Sequence, residues 1–247
     1  MMDSRLYFVL LIAMSVMLPA FPAIGAEPTA QGQSSSSSSS SSPRHAQKTA
    51  ATRPDAGSVS NGVYRNWGFG FACKIPAGWV LRTEEMNEQA DGDEAPAKEG
   101  RAPLDRTAAG RCPNKRGCGR VLLAAFSRPP EARGEDVNSS ILIVAENVDA
   151  YPGLKEAAQY LGPVTEIAHA QGFEVINEPY EFVVGTKTLA RSDFQKDVET
   201  RVMWQSTLVV LARGYALSFT FIGGNEDEAE ELVEKLSFAV EAKPRPH

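Results

Sequence analysis

Five polar residues stand at spacings that would let them act together: Arg191, Asp193, Gln195, Arg201 and Gln205. They fall on two neighbouring segments that read as strands. Side chains alternate between faces along a strand, and residues opposite one another across a pair come close. One face of such a hairpin would present two guanidiniums, a carboxylate and two amides as a polar binding surface. The alternative is a solvated sheet face laced with cross-strand ion pairs. Convergence in a concave site would separate the two.

Other reactive groups are sparse. The histidines are His45, His169 and His247. A Ser-His-Asp or Cys-His arrangement would have to use His169, because the other two fall in a polar leash and a terminal tail. His169 sits among Ala168, Ala170 and Gln171 on a segment of helical spacing, as a partly exposed helix residue would. Cys118 as a nucleophile would need a nearby base, although Lys115, Arg116 and Arg120 would lower its pKa. Glu174 with Glu178 or Glu181, or Asp193 with Asp197, would give carboxylate pairs suited to glycoside hydrolysis; such pairs arise by chance in an acidic chain. Gly68-x-Gly70 lacks the following helix that a dinucleotide loop requires. None of these patterns calls for a cofactor or a metal.

The front of the chain is read as an address. Arg5 precedes an apolar stretch, Leu6–Leu18, which Pro19 and Pro22 interrupt before the small residues up to Ala26. This is the pattern of a signal peptide over residues 1–26. Retained, the leader would be just long enough to anchor the chain in a bilayer, so a membrane is a partner only in that case. No cysteine follows it for lipid attachment. Residues 27–60, with the run Ser34–Ser42, are too polar to bury a core and read as a disordered linker. The chain is therefore expected to be exported, to a periplasmic or extracellular space. Its formal charge of −6 argues against a general nucleic-acid binder, which needs a basic face.

An oxidising compartment permits disulfides. Cys112 and Cys118 share one loop rich in Pro, Gly and charge, and a bridge between them would pin it. Free thiols or a bridge to Cys73 are the alternatives; structural zinc would want four close ligands. Cys73 lies in the alternating run Phe69–Lys74 and reads as a buried strand residue.

Residues 61–241 read as one domain, followed by a frayed tail over 242–247. Strand signals open it, and Pro76-Ala77-Gly78-Trp79 turns a tryptophan back onto the sheet. Residues 83–119 pass from acidic to basic with few apolar anchors. They are expected to form a surface insertion with one helical turn near Glu84 and disorder over 89–108. Val121–Phe126 and Ser140–Ala145 are continuous apolar strands. Pro152, Leu154, Ala157, Ala158 and Leu161 suggest a helix ended by Gly162, with Pro163 starting a second one to Gln171. Strands follow over Glu174–Val184, Thr188–Phe194, Glu199–Leu211 and Tyr215–Phe221. Asn225 would cap a last helix with the stripe Ala229, Leu232, Val233 and Leu236. Strands joined by short turns, with helices between and after them, predict an α+β fold: an antiparallel β-sheet covered by helices.

Asn66-Trp67-Gly68-Phe69-Gly70-Phe71 followed by Pro76-Ala77-Gly78-Trp79 resembles the opening of PsbP-like domains. So does the end, where a long strand, the Arg213-Gly214-Tyr215 turn, a strand and an amphipathic helix lead to Phe238. The resemblance covers about residues 63–241 and leaves the insertion outside. It implies an antiparallel sheet sandwiched by helices, and binding of proteins rather than catalysis. The expected function is thus a non-catalytic exported module that binds an envelope protein or takes part in assembly. A small periplasmic hydrolase and a carrier of an apolar ligand are the alternatives.

Overall fold

The computed structural model describes residues 54–92, 119–132 and 136–238. The leader, linker residues 27–53, Cys112, Cys118 and the tail lie outside the described residues, whereas residues 54–60, expected as the end of a disordered linker, are described and enter the fold as β1, which pairs with β2. Within them the chain forms β1 (Ser58–Ser60), β2 (Val63–Asn66), β3 (Phe71–Lys74), β4 (Val80–Leu81) and α1 (Thr83–Gly92). There follow β5 (Gly119–Phe126), β6 (Ser140–Asn147), a 3-10 turn (Val148–Ala150) and α2 (Ala157–Ala170). The C-terminal half forms β7 (Glu174–Val184), β8 (Lys187–Val198), β9 (Arg201–Ala212), β10 (Tyr215–Gly223), α3 (Glu226–Val233) and β11 (Leu236–Phe238).

The strands build a seven-stranded sheet in the order β4-β5-β6-β10-β9-β8-β7 and a four-stranded sheet in the order β1-β2-β3-β11. Every pairing given for these strands is antiparallel. The fold is α+β. One face of the large sheet packs α2 through Leu161, Val164, Ile167 and Ala168 against Phe194, Val209 and Ala216. Met86 of α1 covers the β5–β6 end of that same face, with Val121, Ala124, Leu142 and Val144. The opposite face carries the small sheet and α3, with Tyr64, Phe71, Cys73, Leu232 and Val233 packed on Ile141, Ile143, Leu217 and Phe219. Phe71, Phe219 and Phe238 interlock there, the first two edge-to-face at 5.1 Å between ring centroids.

Three elements depart from the expectations. Gly162 and Pro163 do not divide two helices, because α2 runs through Pro163. Proline crowds the Cβ of the residue before it, and Gly162 has none. Burial of Tyr160, Leu161, Val164 and Ile167 along one face then outweighs the lost backbone bond. The helix begins at Ala157, so Pro152 and Leu154 belong to the turn before it. The turn expected near Glu84 is instead a helix of 10 residues. Asn87 docks it by pairing its amide with Val121, its oxygen accepting from the backbone N–H at 3.1 Å and its nitrogen donating to the carbonyl at 2.9 Å. Thr83 Oγ1 accepts from the Ala124 N–H at 2.9 Å. Both contacts flank a β-bulge in β5, which turns Leu122 and Leu123 to the same face of the sheet. Lastly, Leu236 does not extend the α3 stripe. It opens β11, which pairs with β3 opposite Cys73 and completes the small sheet.

Asn225 caps α3 as its sequence position suggests: its Oδ1 accepts from the Glu228 N–H at 2.8 Å. Asn225→Ala is expected to lower stability by about 1 kcal/mol. Urea unfolding measures this; an unchanged midpoint would mean that the cap adds nothing once α3 is docked. Cys73 is fully buried, and burial pushes its thiol up to about 12.

Candidate functional site

The register of β8 and β9 decides what the five candidate residues can do together. Arg191 stands opposite Leu208, Asp193 opposite Ser206 and Gln195 opposite Trp204. Gln205 stands opposite Phe194, and Arg201 opposite Val198. Odd positions of β8 thus share a face with even positions of β9. Arg191, Asp193 and Gln195 point to the face that carries α3, while Arg201 and Gln205 point to the face that carries α2. The expected convergence on one face does not occur. A two-residue turn, Glu199–Thr200, sets this parity, and Glu199 takes the left-handed conformation at φ 56°. Nor is the group a solvated surface: Arg191, Asp193 and Gln205 are buried, and Gln195 and Arg201 half-buried.

Arg191 and Asp193 form the centre of a buried network. Arg191 Nε donates to Asp193 Oδ1 at 2.9 Å, Nη1 to both Glu230 oxygens at 2.9 Å and Nη2 to Ser206 Oγ at 3.1 Å. Ser206 Oγ donates to Asp193 Oδ1 at 2.6 Å. The other Asp193 oxygen accepts from Asn177 Nδ2 and Tyr180 OH, each at 3.1 Å. The guanidinium also lies over the Phe182 ring, 4.7 Å from its centroid. Burial works against the Arg191 charge, but Glu230 and Asp193 more than offset it and hold the guanidinium above its ordinary value. Burial, with the Asp193 charge, pushes the Tyr180 hydroxyl up to about 12. These bonds join β7, β8, β9 and α3, and they engage every nitrogen of the guanidinium. The arrangement is a brace between sheet and helix.

The other candidate groups lie apart. Glu174, Glu178 and Glu181 are exposed along the edge strand β7, and Asp197 is exposed while Asp193 is buried. His169 is exposed in the last turn of α2. Among the described residues no group of three His, Cys, Asp or Glu side chains is placed to hold a metal ion.

A surface feature that the residue types did not mark out is the turn between β2 and β3. Trp67 at its tip is 75% exposed, the highest among the large apolar side chains exposed in the described residues. The turn beneath it is firmly built. Asn66, itself buried, donates from Nδ2 to the Asp55 carbonyl at 2.8 Å and to Tyr64 OH at 3.1 Å. Its Oδ1 accepts from the Phe69 N–H at 2.9 Å, and its carbonyl accepts from the Gly70 N–H at 2.8 Å. Asp55 Oδ2 takes the Gly68 N–H at 3.2 Å. Two glycines are needed. A Cβ on Gly68 would stand 2.8 Å from the Asp55 Cβ, and Gly70 has φ +73°. Phe69 meets Tyr215 edge-to-face at 5.6 Å, fixing the turn to the end of the large sheet. The result is an exposed indole on a preorganised mount. The sequence signal was present, since Asn66-Trp67-Gly68-Phe69-Gly70 is the aromatic motif itself. What could not be read was which of its aromatic rings faces solvent.

No protein-family model matches the chain, and no curated protein is significantly similar to it. Solved structures do resemble it. Cyanobacterial PsbP from Synechocystis is 16% identical with a TM-score of 0.37, the match covering 71% of this chain and 91% of that one. The Ran-binding protein Mog1p of Saccharomyces cerevisiae is 14% identical with a TM-score of 0.36, covering 73% and 96%. LpqN of Mycobacterium tuberculosis, described as involved in cell envelope biogenesis, is 12% identical with a TM-score of 0.32, covering 69% and 83%. No residue role is carried across from them. Among the described residues no helix is long and apolar enough to cross a membrane.

Proposed function

We propose that this chain is an exported, non-catalytic module that binds a protein of the cell envelope, and that the Trp67 turn is its contact. The observation that carries the reading is the exposure of Trp67 on a turn whose backbone is already fixed. Binding energy concentrates in a few residues, with tryptophan prominent among them, and a preorganised anchor loses little entropy on docking. Single exposed apolar residues are common on protein surfaces. What sets Trp67 apart is the hydrogen-bonding invested in a turn that leaves the residue 75% exposed. The leader and linker pattern supports an envelope location, and the aromatic opening supports a binding role.

The test is crosslinking and pull-down from the native envelope with the wild-type chain and with Trp67→Ala. A specific partner is expected with the wild type. Its affinity should fall by about 30-fold or more in the variant, the equivalent of at least about 2 kcal/mol. The thermal midpoint should stay within about 2 °C, because the indole packs on little. Equal recovery of the same partner by both proteins would remove Trp67 from the reading, and absence of a specific partner would remove the reading itself.

A further inference from the structure

Glu146 is a buried acid with no cation beside it among the described residues. It closes the apolar run of β6 on the face that carries α2 and is 2% exposed. Across the sheet it stands opposite Gly119 of β5 and Ala216 of β10, neither of which has a charge to offer. Arg120, the next residue of β5, stands opposite Ala145 and so points to the other face, where it acts on Tyr64. Among the described residues the titratable groups that face Glu146 are two tyrosines. Tyr151, from the segment after the 3-10 turn, donates its hydroxyl proton to Glu146 Oε2 at 2.5 Å. Tyr160, in the first turns of α2 and 3% exposed, brings its hydroxyl toward the same carboxyl and toward Ser218. Glu146 Oε1 and the Tyr160 hydroxyl are both buried, and neither closes a hydrogen bond of normal geometry. The two rings meet edge-to-face at 6.3 Å and 88°.

Ionised, this carboxylate is a buried charge met only by neutral hydroxyls among the described residues, which is costly. Neutral, it gains a donor. Its Oε1–H can give its hydrogen to the Tyr160 oxygen, and Tyr160 can pass its own to Ser218, so that both bare atoms are satisfied. We propose that Glu146, Tyr151 and Tyr160 form a proton-operated latch, closed when the carboxyl is neutral, that ties the 147–156 segment and the start of α2 to the end of the large sheet. Burial outweighs the pull of both tyrosine hydroxyls and pushes Glu146 up to about 7, against 4.5 for a free carboxyl. Opening the latch hydrates the acid and releases its proton anywhere between those values. The latch is therefore tight in mild acid and loosens as the pH rises to neutrality. Its place in the fold gives the loosening somewhere to act. Val148 N–H bonds the Gly214 carbonyl at 3.0 Å, and Tyr215, opposite Asn147, packs on Phe69 behind the Trp67 turn.

Hydrogen exchange on the full chain between pH 5 and 8, corrected for intrinsic rates, tests the latch. In the wild type the opening equilibrium of amides over 148–161 should rise by up to about tenfold per pH unit toward pH 7 and level off above it, as release of one proton requires. Glu146→Gln, neutral at every pH and able to bond both tyrosines, should keep these amides protected with a flat profile. Identical profiles in the two proteins would overturn the proposal. So would a Glu146 carboxyl carbon that titrates near 4.5 by NMR. Tyr151→Phe is the second variant, and it serves if Glu146→Gln fails to fold. Removing a donor to the charged form should move the Glu146 midpoint upward, and an unmoved midpoint would sink the latch.

Discussion

Arg191→Ala is expected to lower the free energy of unfolding by about 3–5 kcal/mol, a large part of the total of about 5–15 kcal/mol typical of a single domain. The loss comes less from the ion pair than from what is left behind. Asp193 is 1% exposed, and without Arg191 its charge is buried with only neutral donors, Ser206, Asn177 and Tyr180. Glu230 is a different matter. Its side chain is 45% exposed, so water replaces the guanidinium there, and Glu230→Gln should cost less than about 1 kcal/mol. Arg191→Lys should fall between these, since an ammonium keeps the charge but cannot reach Asp193, Glu230 and Ser206 with one planar fork. The double change Arg191→Met with Asp193→Leu should recover most of the single-variant loss, because an apolar pair leaves no unpaired charge in the brace. Urea unfolding of the four variants decides the matter. A loss below about 1 kcal/mol in Arg191→Ala would mean that the network is hydrated and not a brace.

Stability is also expected to fall as the pH rises from about 4.5 to about 7, by up to about 3 kcal/mol from Glu146 alone. The native carboxyl keeps its proton to about 7, whereas the unfolded one releases it near 4.5. Between those values the native chain binds the extra proton, so this contribution is complete below the lower value and lost through the upper one. Other acids titrate in the same range. Comparison with Glu146→Gln at each pH cancels them. The variant should match the wild type at pH 4.5 and exceed it at pH 8, with a higher thermal midpoint. An equal difference at both pH values would show that the buried carboxyl is not the source.

Local features of this chain were legible from residue types. Asn225 reads as a cap because its side chain bonds a backbone group three residues on, a contact that needs no tertiary partner. The strands β5, β6 and β10 read from continuous or alternating apolar runs, and the α+β arrangement from their order. Asn87 was opaque for the opposite reason. Its amide partners lie 34 residues away on Val121, so α1 looked like a polar loop. Pro163 read as a boundary because its backbone effect is local, while the packing of α2 that overrides it is not.

The candidate site divides along the same line. Residue types singled out Arg191 and Asp193, and these do form a buried ion pair. Their grouping with Arg201 and Gln205 failed on a single parity, set at a turn that holds no glycine or asparagine to announce it. Glu146 carried no mark at all, because an acid at a strand end is ordinary until Tyr151 and Tyr160 are folded over it. The sequence by itself determined the layered α+β class, the helix cap and the aromatic turn, since these follow from periodicity and from contacts between near neighbours. Tertiary structure alone decided which ring of that turn meets solvent, which charges are buried, and which acid is covered by two tyrosines. Burial and strand register depend on residues distant along the chain, and a side chain's charge and exposure are set by what is packed on top of it.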